Sequence, residues 1–246
     1  MKYKVLKNIP EHNKIQNKIT LELWPEFILH DPVSNKYWGS LFESFGDYQF
    51  SLESKGEIIG TGNCLPFRWD DDFKALPEGG WDAILEKAVE DKRAGINPNA
   101  LNGLQIAVNR NHQGKGVSSL VLKEMAAIAK EKGFQYVTIP VRPSLKSHYP
   151  LTPIDHYIQW RREDGLSFDP WLRVHERFGG KMIKVCHESM RVEGSISDWE
   201  QWTGLRFFES ADYIIEGALN PVKINLEKDC GVYIEPNVWV IHEIKF

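Results

Sequence analysis

The chain has 246 residues, of which 42% are hydrophobic, so its composition predicts a globular protein with a substantial core. Lys and Arg are spread along the chain and the formal net charge is −4, which argues against the clustered basic face that nucleic-acid binding needs. No stretch approaches the roughly 20 apolar residues of a membrane span, and the amino-terminal segment lacks a signal-peptide core. We therefore expect a cytoplasmic protein that binds neither nucleic acid nor membrane.

Cysteine and histidine usage gives no sign of a metal centre. The three cysteines, Cys64, Cys186 and Cys230, are odd in number and widely spaced, so neither a disulfide framework nor a CxxC half-site is expected. The eight histidines are scattered as well, and His148 and His156 lack the tight spacing of zinc ligands. We expect reduced thiols and no metal.

The first half of the chain predicts two helices and a hairpin. After a short strand at residues 3–9, an apolar residue every four positions, namely Ile15, Ile19 and Leu23, indicates a helix over 13–24. A second helical region is predicted at 32–45. Alternating apolar residues in 48–54, a turn at 55–57 and a partner strand at 58–67 indicate an antiparallel hairpin. Residues 69–100, with a helix over 81–94, are expected to form an insertion.

The second half contains the clearest helix, at residues 117–132, where Val117, Val121, Met125 and Ile128 share one face. Strands are predicted on either side of this helix, at 101–108 and 134–141. Beyond them we expect a short helix at 154–162, a helix at 170–178, a strand at 181–187, a polar insertion around 199–204 and a last strand at 238–244. We interpret the whole chain as one domain, with a core over 1–188 and a carboxy-terminal extension over 189–246.

The turn that joins the strand at 101–108 to the helix at 117–132 carries two glycines. It reads Gln113-Gly114-Lys115-Gly116-Val117-Ser118, which directs unpaired backbone amides towards one point. Glycine lets an anion approach the backbone closely, and the start of a helix adds a partial positive charge. The turn therefore predicts a phosphate-binding site.

Three kinds of phosphate-binding turn share this geometry, and the flanking residues separate them. A P-loop needs an earlier glycine and a Ser or Thr after its lysine, but Lys115 is followed by Gly116. A dinucleotide-binding fingerprint needs a third glycine where Ser119 stands, and an acidic residue closing the strand at 137–141. What remains is the pattern Gln/Arg-x-x-Gly-x-Gly/Ala after a strand that ends in Val.

Through Gln113-x-x-Gly116-x-Ser118 and the strand Leu104-Gln105-Ile106-Ala107-Val108, the chain resembles the GNAT superfamily of acyl-CoA-dependent acyltransferases. Ser118 departs from the small apolar residue usual there. The order of predicted elements over 1–188 is also that of the superfamily. The resemblance implies an α/β (α+β) fold with a central mixed, twisted sheet flanked by helices. It also implies acetyl-CoA as cosubstrate, bound by Ile106, Ala107, Val108, Gln113, Gly114, Lys115, Gly116, Val117, Ser118 and Ser119.

In such an enzyme the substrate amine attacks the thioester carbonyl directly, and a side chain protonates the departing thiolate. Many members carry a Tyr for this task in a pattern like Tyr-Glu-Lys-Leu-Gly-Phe, and His175 occupies the Tyr position of the run His175-Glu176-Arg177-Phe178-Gly179-Gly180. A helix-face residue that only packs is an equal interpretation of His175, with Tyr149 and Tyr157 as alternative acids. The resemblance assigns the carbonyl to the amide of Ile106 or Val108.

The base and the acceptor site are less well marked. Asp70 and Asp72, in a run of three acids, would attract a cationic amine, although such a run is more often a solvated loop. Glu26 and His30 are further substrate-site candidates. The acceptor is expected to be a small-molecule amine. A catalytically silent acyl-CoA sensor or scaffold with the same fold is the alternative function, and an acyl donor carried on a protein or nucleic acid is a weaker one. The apolar strand at 238–241 suggests pairing across a homodimer.

Overall fold

The computed structural model describes residues 2–7, 9 and 11–245, and within them the strands form one mixed sheet with helices on both faces. This confirms the predicted fold class. The nine strands of these described residues are β1 (Lys4–Lys7), β2 (Gln49–Ser54), β3 (Glu57–Phe67), β4 (Ala100–Val108), β5 (Tyr136–Val141), β6 (Lys181–Gly194), β7 (Ala211–Tyr213), β8 (Val222–Asn225) and β9 (Cys230–Glu243).

The carboxy-terminal strand β9 lies inside the sheet. The strand order is β1-β2-β3-β4-β5-β9-β8-β7, and β6 pairs along the other edge of β9. Only the β4–β5 pairing is parallel among the described strands. Residues beyond 188 therefore complete the sheet instead of extending a finished core. Because β5 and β6 occupy both edges of residues 238–241, this strand has no free edge there to offer a second copy, and the suggested mode of dimerisation was wrong.

The helices divide between the two faces of the sheet. Those in the described residues are α1 (His12–Thr20), α2 (Pro32–Glu43), α3 (Gly80–Arg93), α4 (Val117–Glu131), α5 (Ile154–Tyr157), α6 (Pro170–Arg177) and α7 (Ile196–Thr203). Residues of α4 and α6 join one hydrophobic cluster, and residues of α2, α3 and α7 join the other. None of these helices is long and apolar enough to cross a membrane.

Several element boundaries differ from those predicted. The first helix ends at Thr20, four residues short of the predicted end, before a loop that contains Pro25. The helix predicted at 154–162 is a single turn. Of residues 199–204, expected to be a polar insertion, the first five belong to α7 and Gly204 caps its end. A capping box formed by Ser195 and Asp198 starts α7, and its Trp199 is fully buried.

A bulge in β4 separates this strand from β5. Opposite β3, Gln105 pairs with Asn63 and Gly103 pairs with Cys64, so Leu104 is one extra residue on β4. A bulge bends its strand and ends regular pairing. The parallel register with β5 covers residues 101 and 102 only, directly before the bulge. From Leu104 onwards, β4 therefore diverges from β5 and leaves an opening at the carboxyl ends of the two strands.

Trp81, at the start of α3, closes the base of this opening. Its indole Nε1 donates to the carbonyl oxygen of Leu104 at 2.9 Å, and its own amide donates to Ser189 Oγ at 2.9 Å. The indole also stacks on Trp38, with 6.1 Å between ring centroids. A buried carbonyl that leaves a strand ladder needs another donor. The segment predicted as an insertion supplies that donor.

Candidate functional site

The edge of β4 that faces the opening carries free backbone amides. The amide of Asn109 donates to the carbonyl of Ile59 at 3.1 Å, and this bond shows which residues of β4 direct their amides towards β3. In an antiparallel ladder, alternate residues bond to the neighbouring strand, so Ala107 faces β3. The amides of Ile106 and Val108 consequently point to the side that β5 has left. They are the two donors that the sequence nominated for a thioester carbonyl.

The glycine turn lies at the mouth of the same opening. Gly114 and Gly116 have φ values of 71° and 78°, in the left-handed region, and a Cβ built on either would meet no atom within 4 Å. Gly116 caps α4 without a side-chain bond, and the amide of Leu120 donates to the Gly116 carbonyl at 3.3 Å. The preceding amides, of Val117, Ser118 and Ser119, have no partner within the helix. Backbone donors and open space thus coincide, as an anion-binding turn requires.

Side chains within the turn hold its backbone. Gln113 Nε2 donates to the Val108 carbonyl at 3.3 Å, and Lys115 Nζ donates to the Asn111 carbonyl at 2.7 Å. Asn111 in turn donates its amide to Asn109 Oδ1 at 3.0 Å. These bonds link the end of β4 to the turn before α4, so the two parts of the predicted cofactor site, the strand and the turn, lie next to each other.

The loop at residues 21–25 crosses the mouth of the opening. Arg110, just after β4, donates to the carbonyl of Glu22, and Arg142, just after β5, lies 5.8 Å from the centroid of the Trp24 ring. The loop therefore spans both strands that form the opening. Its position places the segment between α1 and α2, which contains the substrate-site candidates Glu26 and His30, beside the opening.

A buried ion pair that the sequence analysis missed anchors the far wall. Arg142 Nε donates to both carboxylate oxygens of Glu235, at 3.0 and 2.9 Å, and its Nη2 donates to the Gly217 carbonyl at 2.6 Å. Tyr233 also donates to Glu235, at 3.0 Å. Because Glu235 is almost fully buried, loss of Arg142 would leave an unpaired charge. The sequence signal that could have revealed this ion pair is Arg142, a charged residue directly after the apolar strand at 136–141.

Lys146 fastens the loop after β5 to the carboxy-terminal region. It is fully buried, and its Nζ donates to the carbonyls of Tyr149 at 2.9 Å and Leu219 at 2.6 Å. Burial lowers the pKa of Lys146 to about 8. Both donor bonds go to neutral carbonyls, so this lysine holds two loops together, and nothing in its local sequence marked it.

His175 lies in the core between α6 and β9. It has no exposed surface, and its Nδ1 is 2.9 Å from Nε2 of His242. Burial lowers the pKa of His175 well below its usual range and that of His242 to about 4. Both rings are therefore neutral at pH 7. A ring enclosed in this way offers no free face to a thioester, which favours the packing interpretation of His175.

Of the two tyrosine alternatives, only Tyr149 presents its phenol to solvent. Its side chain is 37% exposed, in the loop after β5, and it meets Trp160 edge to face at 4.9 Å. Tyr157 is buried and donates its hydroxyl proton to Asp169 at 2.8 Å. The acid role therefore suits Tyr149 better than Tyr157 or His175.

The structure does not bring the acidic candidates after β3 to the opening. Asp70 pairs with Arg68 at 2.7 Å, and Asp72 accepts the amide of Lys74 at 2.8 Å. They follow Phe67, which pairs with Ala100 at the other end of β4. Eight residues of strand, roughly 27 Å, separate that end from Val108. These acids match the solvated-loop interpretation.

Glu26 and His30 directly follow the loop that crosses the mouth. His30 Nε2 lies 3.3 Å from Glu26 Oε1, and the His30 ring stacks on Trp202 of α7 with 4.3 Å between centroids. His30 is thus held by two neighbours. Glu26 is largely exposed.

Comparisons with known proteins agree on one family. The Acetyltransferase (GNAT) family model matches residues 15–149. Arginine N-acetyltransferase avaD of Aspergillus versicolor is 34% identical over 250 residues, which cover 90% of this chain and 86% of that protein. Two solved structures share the fold. The loading GNATL domain of CurA from Lyngbya majuscula has a TM-score of 0.63 at 19% identity, covering 99% of this chain and 98% of that one. The GphF GNAT-like decarboxylase in complex with isobutyryl-CoA has a TM-score of 0.59 at 14% identity, covering all of both chains.

Gly116→Ala tests the turn, with Gly133→Ala as the matched control. The two glycines have φ values of 78° and 77°, at opposite ends of α4, and both lack neighbours within 4 Å of a built Cβ. Both variants should therefore lose a similar amount of unfolding free energy, because an alanine in this left-handed conformation costs about 1–2 kcal/mol. Calorimetric titration should show acetyl-CoA affinity about tenfold lower for Gly116→Ala, or about 1.4 kcal/mol. Equal affinities in the two variants would remove the turn from the site.

The His175–His242 pair should make the protein less stable in mild acid. Their pKa values are lowered on folding, so the unfolded chain binds more protons between about pH 6.5 and 4. Stability is complete above pH 6.5 and declines as the pH falls towards 4. For His242 alone, the loss from pH 8 to pH 5 is about 2 kcal/mol.

Urea unfolding at the two pH values measures this loss. A double variant with His175→Gln and His242→Gln keeps polar groups in the pair but cannot titrate, so its pH dependence should be smaller. His156→Gln changes an exposed histidine and serves as control. If the double variant loses as much unfolding free energy between pH 8 and pH 5 as the wild type does, the two histidines are not the cause of the loss.

Proposed function

Because the chain belongs to the acetyltransferase (GNAT) family and is thus an acyltransferase that acts on an amine, we propose that it transfers the acetyl group of acetyl-CoA to arginine or an arginine-like small molecule. The observation that carries the proposal is the pair of free amides, of Ile106 and Val108, on the open edge of β4 beside the glycine turn. The acceptor class is supported by the relative that is 34% identical over 90% of this chain, which is an arginine N-acetyltransferase.

Each part of the opening has a task in this reaction. The amides of the turn and of the start of α4 bind the pyrophosphate, and the open edge of β4 takes the extended arm of the cosubstrate. An amide of Ile106 or Val108 donates to the thioester carbonyl oxygen and stabilises the negative charge that develops on it. Removal of one such donor from an acyl-transfer site typically costs 10²–10³ in rate.

The proton balance favours the α-nitrogen of arginine as nucleophile. An α-amine with a pKa near 8 is about one unit above neutral pH, so its deprotonation at pH 7 costs about 1.4 kcal/mol. A guanidinium with a pKa of at least 12.5 costs more than about 7 kcal/mol. After attack, the C–N bond has formed and the C–S bond breaks. The nitrogen loses its proton to water, and we propose that the phenol of Tyr149 gives its proton to the departing thiolate and is then reprotonated from water.

Turnover with a panel of amines tests the proposal. Thiol release from acetyl-CoA should be accelerated by arginine, and less by lysine and by arginine blocked at its α-nitrogen, with mass spectrometry locating the acetyl group. If acetyl-CoA binds and no amine in the panel accelerates thiol release, the catalytically silent sensor becomes the better function. If acetylated guanidine is the product, the assignment of the nucleophile fails while the enzyme class stands.

Tyr149→Phe and His175→Gln separate the two candidate acids. Loss of the phenolic proton should lower kcat about 10²-fold, within the range for a positioned acid, and leave the KM for acetyl-CoA unchanged. His175→Gln should keep kcat within about threefold, because the ring is enclosed in the core. A large kcat loss in the His175 variant, with Tyr149→Phe fully active, would reverse the assignment.

A further inference from the structure

Helix α1 packs on the sheet through a polar face. The buried residues of this helix are His12, Gln16, Ile19 and Thr20, so three of the four carry polar side chains. Helices of globular proteins normally bury an apolar stripe. The N-cap residue Glu11 has a φ of 61° and makes no side-chain cap bond. The attachment of α1 therefore depends on polar contacts instead of a hydrophobic seam.

Beneath α1, two fully buried side chains of β3 have oxygens without a partner among the described residues. Asn63 Nδ2 donates to Gln16 Oε1 at 2.7 Å and to Gln49 Oε1 at 3.0 Å. These two bonds fix the orientation of the amide and leave Asn63 Oδ1 unpaired. Thr61 Oγ1 is also unpaired, and both residues have no exposed surface. Native proteins rarely leave such groups unsatisfied without a reason.

A third unpaired oxygen lies on the neighbouring strand. Gln105 of β4 pairs directly with Asn63, and its Oε1 has no partner in the part of the chain described. Directly paired side chains of an antiparallel ladder share one face. Gly60 and Gly62 of β3 direct their missing Cβ towards Val117 and Phe50 on the other face, so Thr61 and Asn63 point to the α1 side.

This layer of oxygens lies beside the reactive edge of β4. Thr61 pairs with Ala107 and Asn63 pairs with Gln105, while the amide of Ile106, between these two β4 residues, points into the opening. The glycine turn approaches from the α4 side. The side that remains for the second reactant is the one that α1 covers.

We propose that Thr61, Asn63 and Gln105 form a subsite under α1 that binds the N–H groups of the acceptor, and that α1 is the lid of this subsite. The inference deepens the proposed function and rests on it. The unpaired atoms can all accept hydrogen bonds, and the guanidinium group of arginine offers five N–H donors and no acceptor. The subsite thus recognises a nitrogen-rich group by hydrogen bonds, without a carboxylate in the set.

The polar face of α1 gives the ligand a route to these oxygens. When α1 lifts, His12, Gln16 and Thr20 exchange protein partners for water, which polar groups tolerate better than an exposed apolar stripe would. The loop at 21–25, which continues from α1, also bridges the mouth of the opening. Movement of the helix and this loop therefore breaks the contact of Arg110 with Glu22 and opens the acceptor side, while the glycine turn keeps its own bonds through Gln113 and Lys115.

Two near-isosteric variants, Thr61→Val and Gln105→Met, remove the accepting oxygens. Each should raise the KM for arginine about tenfold and leave the KM for acetyl-CoA within twofold. The melting temperature of Thr61→Val should stay equal or rise, because a buried unpaired oxygen is removed. Thr138→Val is the matched control. It removes a fully buried hydroxyl of β5, away from α1, that is already paired with Asn102 at 2.9 Å, so it should lower stability and leave both KM values unchanged.

Calorimetric titration of arginine without acetyl-CoA separates this inference from the proposed function. If the wild type acetylates arginine and both variants keep the wild-type KM and affinity for arginine, the subsite is wrong and the proposed function stands. If the wild type binds arginine but releases no thiol, the proposed function is wrong. In that case, weaker arginine binding by the two variants would still support the subsite. If wild type neither binds nor acetylates arginine, lysine or agmatine, both fail.

Discussion

The hydrogen bond from Trp81 Nε1 to the carbonyl of Leu104 is the contact on which the site depends. An extra residue in β4 turns this carbonyl out of the ladder, inside a part of the protein that water does not reach. Because the indole N–H donates to this carbonyl, the bulge does not leave a buried acceptor without a hydrogen bond. Because the bulge is retained, β4 diverges from β5 and the amides of Ile106 and Val108 have no strand partner. Helix α3 thus sets the backbone geometry of a site it does not enter.

The opening is polarised between its two sides. On the α4 side, backbone N–H groups at the glycine turn converge and suit an anion. On the α1 side, the unpaired side-chain atoms are oxygens that accept hydrogen bonds. An anionic cosubstrate and a nitrogen-rich acceptor would therefore enter from opposite faces and meet at the free edge of β4. The separation prevents either ligand from occupying the place of the other.

Local patterns in the sequence were sufficient for the glycine turn and the helix that follows it, and the fold class followed from the family resemblance that the turn and the order of elements support. The spacing of Gly114 and Gly116 and the apolar face of α4 lie within about 20 residues. The bulge at Leu104 could not be predicted in this way, since it is a register between strands some 40 residues apart. The position of β9 depends on contacts with β5 more than 90 residues away. His175 has the expected place in its motif, but its neighbour His242, 67 residues later, gives it a buried environment. Asp70 and Asp72 were nominated for their charge, and strand length carries them away from the opening.

The interior position of β9 also determines how the chain is able to fold during its synthesis. On one edge, β5 pairs only with residues 101 and 102 of β4. Its other edge pairs with residues 238–243, which are synthesised later. The ribosome must therefore translate about 100 further residues before the two halves of the sheet join. Until then, an apolar strand with an open edge is exposed to other nascent chains. The amino-terminal hairpin and α4 can collapse early, whereas the catalytic opening acquires its second wall only after residues 238–243 have been synthesised.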